Sequence, residues 1–447
     1  MNIDKKKLSF SFPNLYTVKN FFICLYAASL PFFVFSVFLG RDTVAQWVMI
    51  IMLLIWMVEI ISNRGRIWID STFICLIFFL AAYLLNTLRI FLIEPANTWL
   101  GRSPLDRAIT IDIRLFFAII SYIVCVNYLA NVPREVFLRI LRVQFFVGII
   151  IVIIAVFQYA AYIFEGRSDF LRFEPTNVSY YVRGSFFRLG REKFFRTSSI
   201  YNEPAVFAFF LIPFMIKGVI VWIRRIGFIS RFWTRFIIVL ILLGIISNLS
   251  FTAVLSSTIL LIIFGAVQWF GPYRKNILLA FLFLLTLVGI ISLLPFSNII
   301  YERVLNVFTL KDGSTLDRLF RLYTSYVVFL QNPLIGVGPG GYAFYYPRMG
   351  GIDTTLMATP LNIWLHFLTD NGILGTLPFI FFIVMILKNA FITIKKEILA
   401  EVYLWSVISY LILLTFSTDF CFIEMVWFEL AVITCIMRTP KIKGNNE

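Results

Sequence analysis

A chain of 447 residues, 60% of them hydrophobic and only 14% charged, lies far outside the balance of soluble proteins and reads as an integral membrane protein. Apolar runs of about 18 or more residues, enough for a helix to cross a hydrocarbon core of about 30 Å, recur along it, without the alternation of barrel strands. The net charge of +15 does not indicate a nucleic-acid partner, since the basic residues gather at the ends of these runs with no DNA- or RNA-binding motif around them.

Lys5, Lys6, Lys7 and Lys19 precede the first run, and no small-residue cleavage pattern follows it, so it is expected to be a retained helix. Runs near 20–39, 43–62, 68–87, 108–129, 137–164, 203–223, 233–248, 250–270, 276–295, 361–387, 399–416 and 420–437 predict an all-α polytopic protein with about twelve spans in a single membrane domain, 1–447. Lys and Arg concentrate in alternate short loops, which places both termini in the cytoplasm. Three long loops then face outward, at 88–107, 165–202 and 296–360. Long loops translocate largely regardless of charge, so their arginines need another reason. Loop 165–202 holds seven basic and four acidic residues and points to an anion. The 217–236 stretch, with Trp222, Trp233 and five basic residues, reads as a cytoplasmic amphipathic segment on anionic headgroups, or as plain topology and anchoring.

The five cysteines, Cys24, Cys75, Cys125, Cys421 and Cys435, lie in apolar runs without a CxxC pair, and His366 is the one histidine of the chain. A disulfide framework and a Cys/His zinc site are disfavoured, and no metal or cofactor is expected.

Candidate chemistry lies in the outer loops. Arg318 and Arg321 are three apart and share a face if 316–330 is a helix, so that each guanidinium could hold one phosphate of a diphosphate. Pairing with Asp312, Asp317 or lipid headgroups is the alternative. Arg191 and Arg196, nearest the next span, are the candidates from the arginine-rich loop. Asn202-Glu203-Pro204 opens the sixth span, either as a helix cap or with Glu203 as a base for a sugar hydroxyl. Gly336-Val337-Gly338-Pro339-Gly340-Gly341 lacks the Gly-Lys-Ser/Thr ending of a phosphate-binding loop, so Gly338 and Gly340 are expected to give positive φ and close backbone approach, to a ligand among the options. Asn362 and His366 lie one helical turn apart. Asp353 and Asp370 are further candidate bases; Asp370 is deeper in the span, where a carboxylate is costly unless it faces a cavity. Asp419 and Glu424 are weaker candidates.

Taken together, Arg318, Pro333 to Gly340 and Asn362 to Gly375, with Asn202-Glu203-Pro204 upstream, resemble the O-antigen polymerase (Wzy-type) and O-antigen ligase superfamily of bacterial inner-membrane glycosyltransferases. The resemblance covers most of the chain in topology and implies a GT-C-like, metal-independent enzyme. Its substrates would be undecaprenyl-diphosphate-linked oligosaccharides, its active site periplasmic, and membrane lipids and a chain-length regulator its partners. Arg191, Arg196, Arg318 and Arg321 would hold the diphosphate, Asn362, Gly338 and Gly340 would meet substrate, and Glu203, Arg318, His366 and Asp353 would serve catalysis. Ligases usually place His-Asn where this chain has Leu361-Asn362, which favours a polymerase. A lipid-linked oligosaccharide flippase is the rival from another class. It would call for repeats, broken helices and ionisable residues at mid-membrane; the sequence displays no repeat, and most of its ionisable residues lie in loops.

Overall fold

A computed structural model describes residues 15–33, 35, 43–62, 67–68, 71–93, 103–130, 132–168, 170–171, 186–189, 192–201, 203–227, 229–248, 250–268, 313–351, 358–416 and 424–438. In chain order the helices are α1 (Leu15–Ser29), α2 (Val44–Ile61), α3 (Ser71–Ile93), α4 (Pro104–Leu129), α5 (Arg134–Glu165), α6 (Pro204–Arg224), α7 (Arg231–Asn248) and α8 (Phe251–Gln268). They continue as α9 (Gly313–Gln331), α10 (Tyr342–Arg348), α11 (Ile363–Thr393), α12 (Ile398–Leu414) and α13 (Glu424–Ile436). An antiparallel hairpin of β1 (Phe186–Leu189) and β2 (Glu192–Phe195) interrupts the helical pattern within the arginine-rich loop.

Among the described residues, six helices are long and apolar enough to cross a membrane: α2 to α6 and α11. Stretches of α7, α8 and α12 are apolar but shorter, and the run predicted at 276–295 lies outside the described residues. Local chemistry sets several helix starts. Thr43 with Gln46, and Ser103 with Asp106, form capping boxes, and Pro104 fills the first turn of α4. α5 ends on Gly166 in the left-handed conformation.

The core joins α6, α12, α13 and α4 through large buried side chains such as Phe207, Trp405, Phe428 and Tyr122. α11 packs along α3 and α9, while α6 packs against α7 and α12. Two of the three long loops are more structured than expected. α3 runs on to Ile93 and α4 begins at Pro104, and loop 296–360 contains α9 and α10.

The 217–236 stretch requires a correction. Lys217 lies within α6, nearly buried, with its ammonium on Glu429 of α13 and on Gln144 Oε1 at 2.9 Å. Arg224 makes a forked pair with Glu401 of α12, at 2.6 Å and 2.8 Å. These two cations tie helices together. Phe232 and Trp233 are exposed, as an anchor at the headgroup level requires.

Candidate active site

The end of the bundle where α6, α8 and α11 begin gathers most of the candidate residues. Glu203 caps α6 through its backbone carbonyl, which accepts the N–H groups of Val206 and Phe207 at 3.1 Å and 3.2 Å; its partly exposed side chain makes no capping bond. Arg196, half-buried, leads into a segment pinned on the end of α7. Thr197 N–H donates to Ser247 O at 3.0 Å, and the Thr197 and Ser247 hydroxyls lie 2.9 Å apart.

Arg318 and Arg321 both ride on α9 but reach different neighbours. Arg318 Nη1 donates to Thr252 Oγ1 in the first turn of α8 at 3.5 Å and to Phe416 O beyond α12 at 3.4 Å. Both are long contacts to neutral oxygens. Arg321 donates from Nε to Asp317 Oδ2 at 2.8 Å, and its guanidinium lies 4.8 Å from the centre of the Tyr346 ring. The Tyr346 hydroxyl closes this group on Asp317 Oδ1 at 2.6 Å. Burial works against the Arg321 cation, but the Asp317 hydrogen bond and charge, joined by Tyr346 and Tyr342, outweigh it and hold its pKa above the ordinary value. The expectation of one arginine per phosphate is therefore revised: Arg321 carries its own counter-ion.

Asn362 stands beside Arg318. Its Oδ1 accepts the N–H groups of Trp364 and Leu365, both at 3.0 Å, and so caps α11. Its Nδ2 donates to Thr415 O at 3.1 Å, one residue from the carbonyl that Arg318 meets. Leu361, just before the cap, has φ +56°.

The glycine-rich turn meets the chain itself. α11 is broken at Gly372, where φ is 60° and ψ is −166°. Backbone groups released there pair with the turn: Val337 N–H with Thr369 O at 2.7 Å, Gly338 N–H with Asp370 O at 2.9 Å, and Ile373 N–H with Pro333 O at 2.8 Å. Leu374 N–H follows, with Leu334 O at 3.1 Å. A Cβ at Gly336 would collide with the backbone of Asp370, and one at Gly372 with the backbone of Leu334, so both positions require glycine. Asn86 of α3 braces the junction, donating to Ile335 O at 3.0 Å and Asn371 Oδ1 at 2.9 Å. Arg89 adds a bond to Gly336 O at 3.1 Å. Gly338 backs onto Ile90, and Gly340 onto Arg107 and Ile111.

Asp370 is 1% exposed, and its Oδ2 accepts the Gly340 N–H at 3.1 Å and lies 3.2 Å from His366 Nε2. The Gly340 N–H offsets part of the cost that a deep carboxylate carries. His366 is itself 3% exposed. His366 lies about one helical turn past Asn362 and Asp370 about two, and Asp370 joins the glycine-rich turn to α11.

Arg191, Asn202, Asp353 and Asp419 lie outside the described residues. Glu424 is buried and accepts Gln46 Nε2 at 2.8 Å, a bond between α13 and α2. Among the described residues no group of three or more His, Cys, Asp or Glu could hold a metal. The sequence reading missed Asn86, Arg89 and Arg107, which brace or back the turn from α3 and α4. Arg107 carried a signal in the capping box beside it; Asn86 carried none, because its partners stand far along the chain.

Residues 236–380 match the family model for O-antigen ligase, a stretch that holds α8, α9, the glycine-rich turn and α11 through its break. No curated protein matches the chain. The match spans less than half of the chain and does not separate a polymerase from a ligase; together with the apolar helices it supports a multi-pass membrane enzyme related to polysaccharide biosynthesis.

Proposed function

We propose that this protein is a polysaccharide polymerase that joins undecaprenyl-diphosphate-linked oligosaccharide repeat units at the periplasmic face of the bacterial inner membrane. The observation that carries the reading is the placing of Arg318, which reaches from α9 to the start of α8 and the end of α12 beside Asn362, inside the family-matched segment. In the transfer, an acceptor sugar hydroxyl loses its proton to Glu203 as its oxygen forms a bond to the donor's anomeric carbon. The bond from that carbon to the diphosphate breaks, and the diphosphate leaves with the electron pair while Arg318 balances its growing charge. The reaction so written needs no metal. Glu203 suits the base's place better than His366, whose ring is turned onto Asp370 inside the bundle. Membrane lipids and a chain-length regulator are the partners this role implies.

Two rival readings each have an observation in their favour. The matched family is described as O-antigen ligase, yet the position where the resemblance puts the ligase histidine is Leu361, which has no group that titrates. The break in α11 and the buried Lys217–Glu429 pair are features that a flippase would use, and the sequence had revealed neither.

Deleting the gene and displaying surface polysaccharide by size tests all three. A polymerase leaves a single repeat on its acceptor. A ligase leaves polymer on the lipid carrier, and a flippase leaves neither repeat nor polymer outside the cell; either result would overturn the proposal.

A further inference from the structure

Three parts of the proposed site come from distant segments, and one fully buried side chain ties them. Asn248, the last residue of α7, donates from Nδ2 to Thr197 O at 3.2 Å and to Pro204 O at 2.8 Å, and accepts Ser250 N–H on Oδ1 at 3.2 Å. Thr197 follows Arg196, Pro204 follows Glu203, and Ser250 leads into α8, whose Thr252 receives Arg318. An amide donates twice and accepts through one rigid plane, which a hydroxyl or a carboxylate cannot do. Around a fully buried amide each of these bonds is costly to leave unmade.

We infer that Asn248 is a positioning residue of the transfer site, fixing the start of α6 and the segment after Arg196 against the start of α8. The inference rests on the polymerase reading for the reaction it serves, though not for the contact itself. Gln158 of α5 supplies a comparison. It holds the same outer segment, with Nε2 on Leu171 O and Ser199 O at 2.9 Å each and Oε1 accepting Ser199 N–H at 3.0 Å. Its bonds reach neither the start of α6 nor α8, so it secures the segment without setting the two helices.

The test uses the full chain in the deletion strain, carrying Asn248→Ala, Asn248→Asp or Gln158→Ala. Asn248→Asp keeps the Oδ1 acceptor while losing the donor, and so separates lost bonds from a lost side chain. One readout is trypsin cleavage after Arg196 in detergent-solubilised protein; the other is polymer formed per unit of chain in the membrane. Both Asn248 variants should raise cleavage several-fold and lower polymerisation about tenfold or more, whereas Gln158→Ala should raise cleavage and lower polymerisation less than about threefold. In a Glu203→Gln background Asn248→Ala should cost less than about threefold, because the two residues act on one step. Unchanged cleavage, a loosened segment with normal polymer, or full additivity with Glu203→Gln would each overturn the inference. If Arg318→Ala and Glu203→Gln both keep full polymer, the polymerase reading has failed and takes the inference with it.

Discussion

At the membrane surface a guanidinium can serve as an ion-pair partner or as an anion ligand, and two arginines three residues apart on α9 have different neighbours. Arg321 is held by Asp317 and Tyr346, whereas Arg318 reaches Thr252 and the carbonyl of Phe416, beside Asn362. Arg318→Ala should therefore lower polymer formation by about a hundredfold or more with little change in the chain's melting temperature, as expected when a group opposite developing charge is removed. Arg321→Ala should act mainly on stability, by about 1 kcal/mol, because the pair is partly exposed on the Asp317 side. Polymer size profiles and thermal melts of the purified variants separate the two. A loss of polymer equal for both variants would mean that α9 binds its anion with the whole face, as the sequence first suggested. Spacing on a helix and Asp317 as a possible partner were legible in the sequence; which of the two arginines takes it was not, because Tyr346 and Thr252 come from other elements.

The glycine-rich turn and the break in α11 form one element made of two. Sequence alone revealed that Gly336, Gly338 and Gly340 free the backbone, and their φ values of +70°, +95° and +67° accord with that. It did not reveal the partner. Asp370 to Gly375 reads as continuing helix, and only the fold brings it against Pro333 to Gly338 to exchange backbone hydrogen bonds. Within a membrane such irregular backbone persists because protein, not lipid, satisfies it. Gly166 offers a control for Gly336, since its φ of +67° is close to +70°, yet a Cβ there would meet nothing within 4 Å. Gly166→Ala should cost about 1 kcal/mol, the strain of a left-handed residue alone. Gly336→Ala and Gly372→Ala add a collision with backbone that cannot turn aside, and each should cost several times more, about 3 kcal/mol or above, measured as lost melting temperature and folded yield. Equal costs at all three positions would show the turn to be docked loosely.

Among the described residues, different polar side chains mark the two ends of the bundle. One end carries Asn362, Arg318, Thr197 and Asn248; at the other, Arg134 pairs with Glu397 at 3.1 Å and Arg224 with Glu401 at 2.6 Å. The sequence made this division legible through hydropathy and the short basic loops, because sidedness is written locally at each helix end. Lys217 escaped that reading, since a lysine near a basic loop looks cytoplasmic until Glu429 is brought to it from 212 residues away. The division has a consequence that can be measured without knowing the substrate. α5 runs from Arg134 to Glu165 and α7 from Arg231 to Asn248, so Ser168, just past the end of α5, and Ser230, just before α7, stand at opposite ends of the bundle. With the basic end in the cytoplasm, a membrane-impermeant thiol reagent applied to intact cells should label Ser168→Cys and leave Ser230→Cys unlabelled until the cells are opened. The opposite pattern would put Arg318 and Asn362 in the cytoplasm, where neither a periplasmic polymerase nor a ligase could use them.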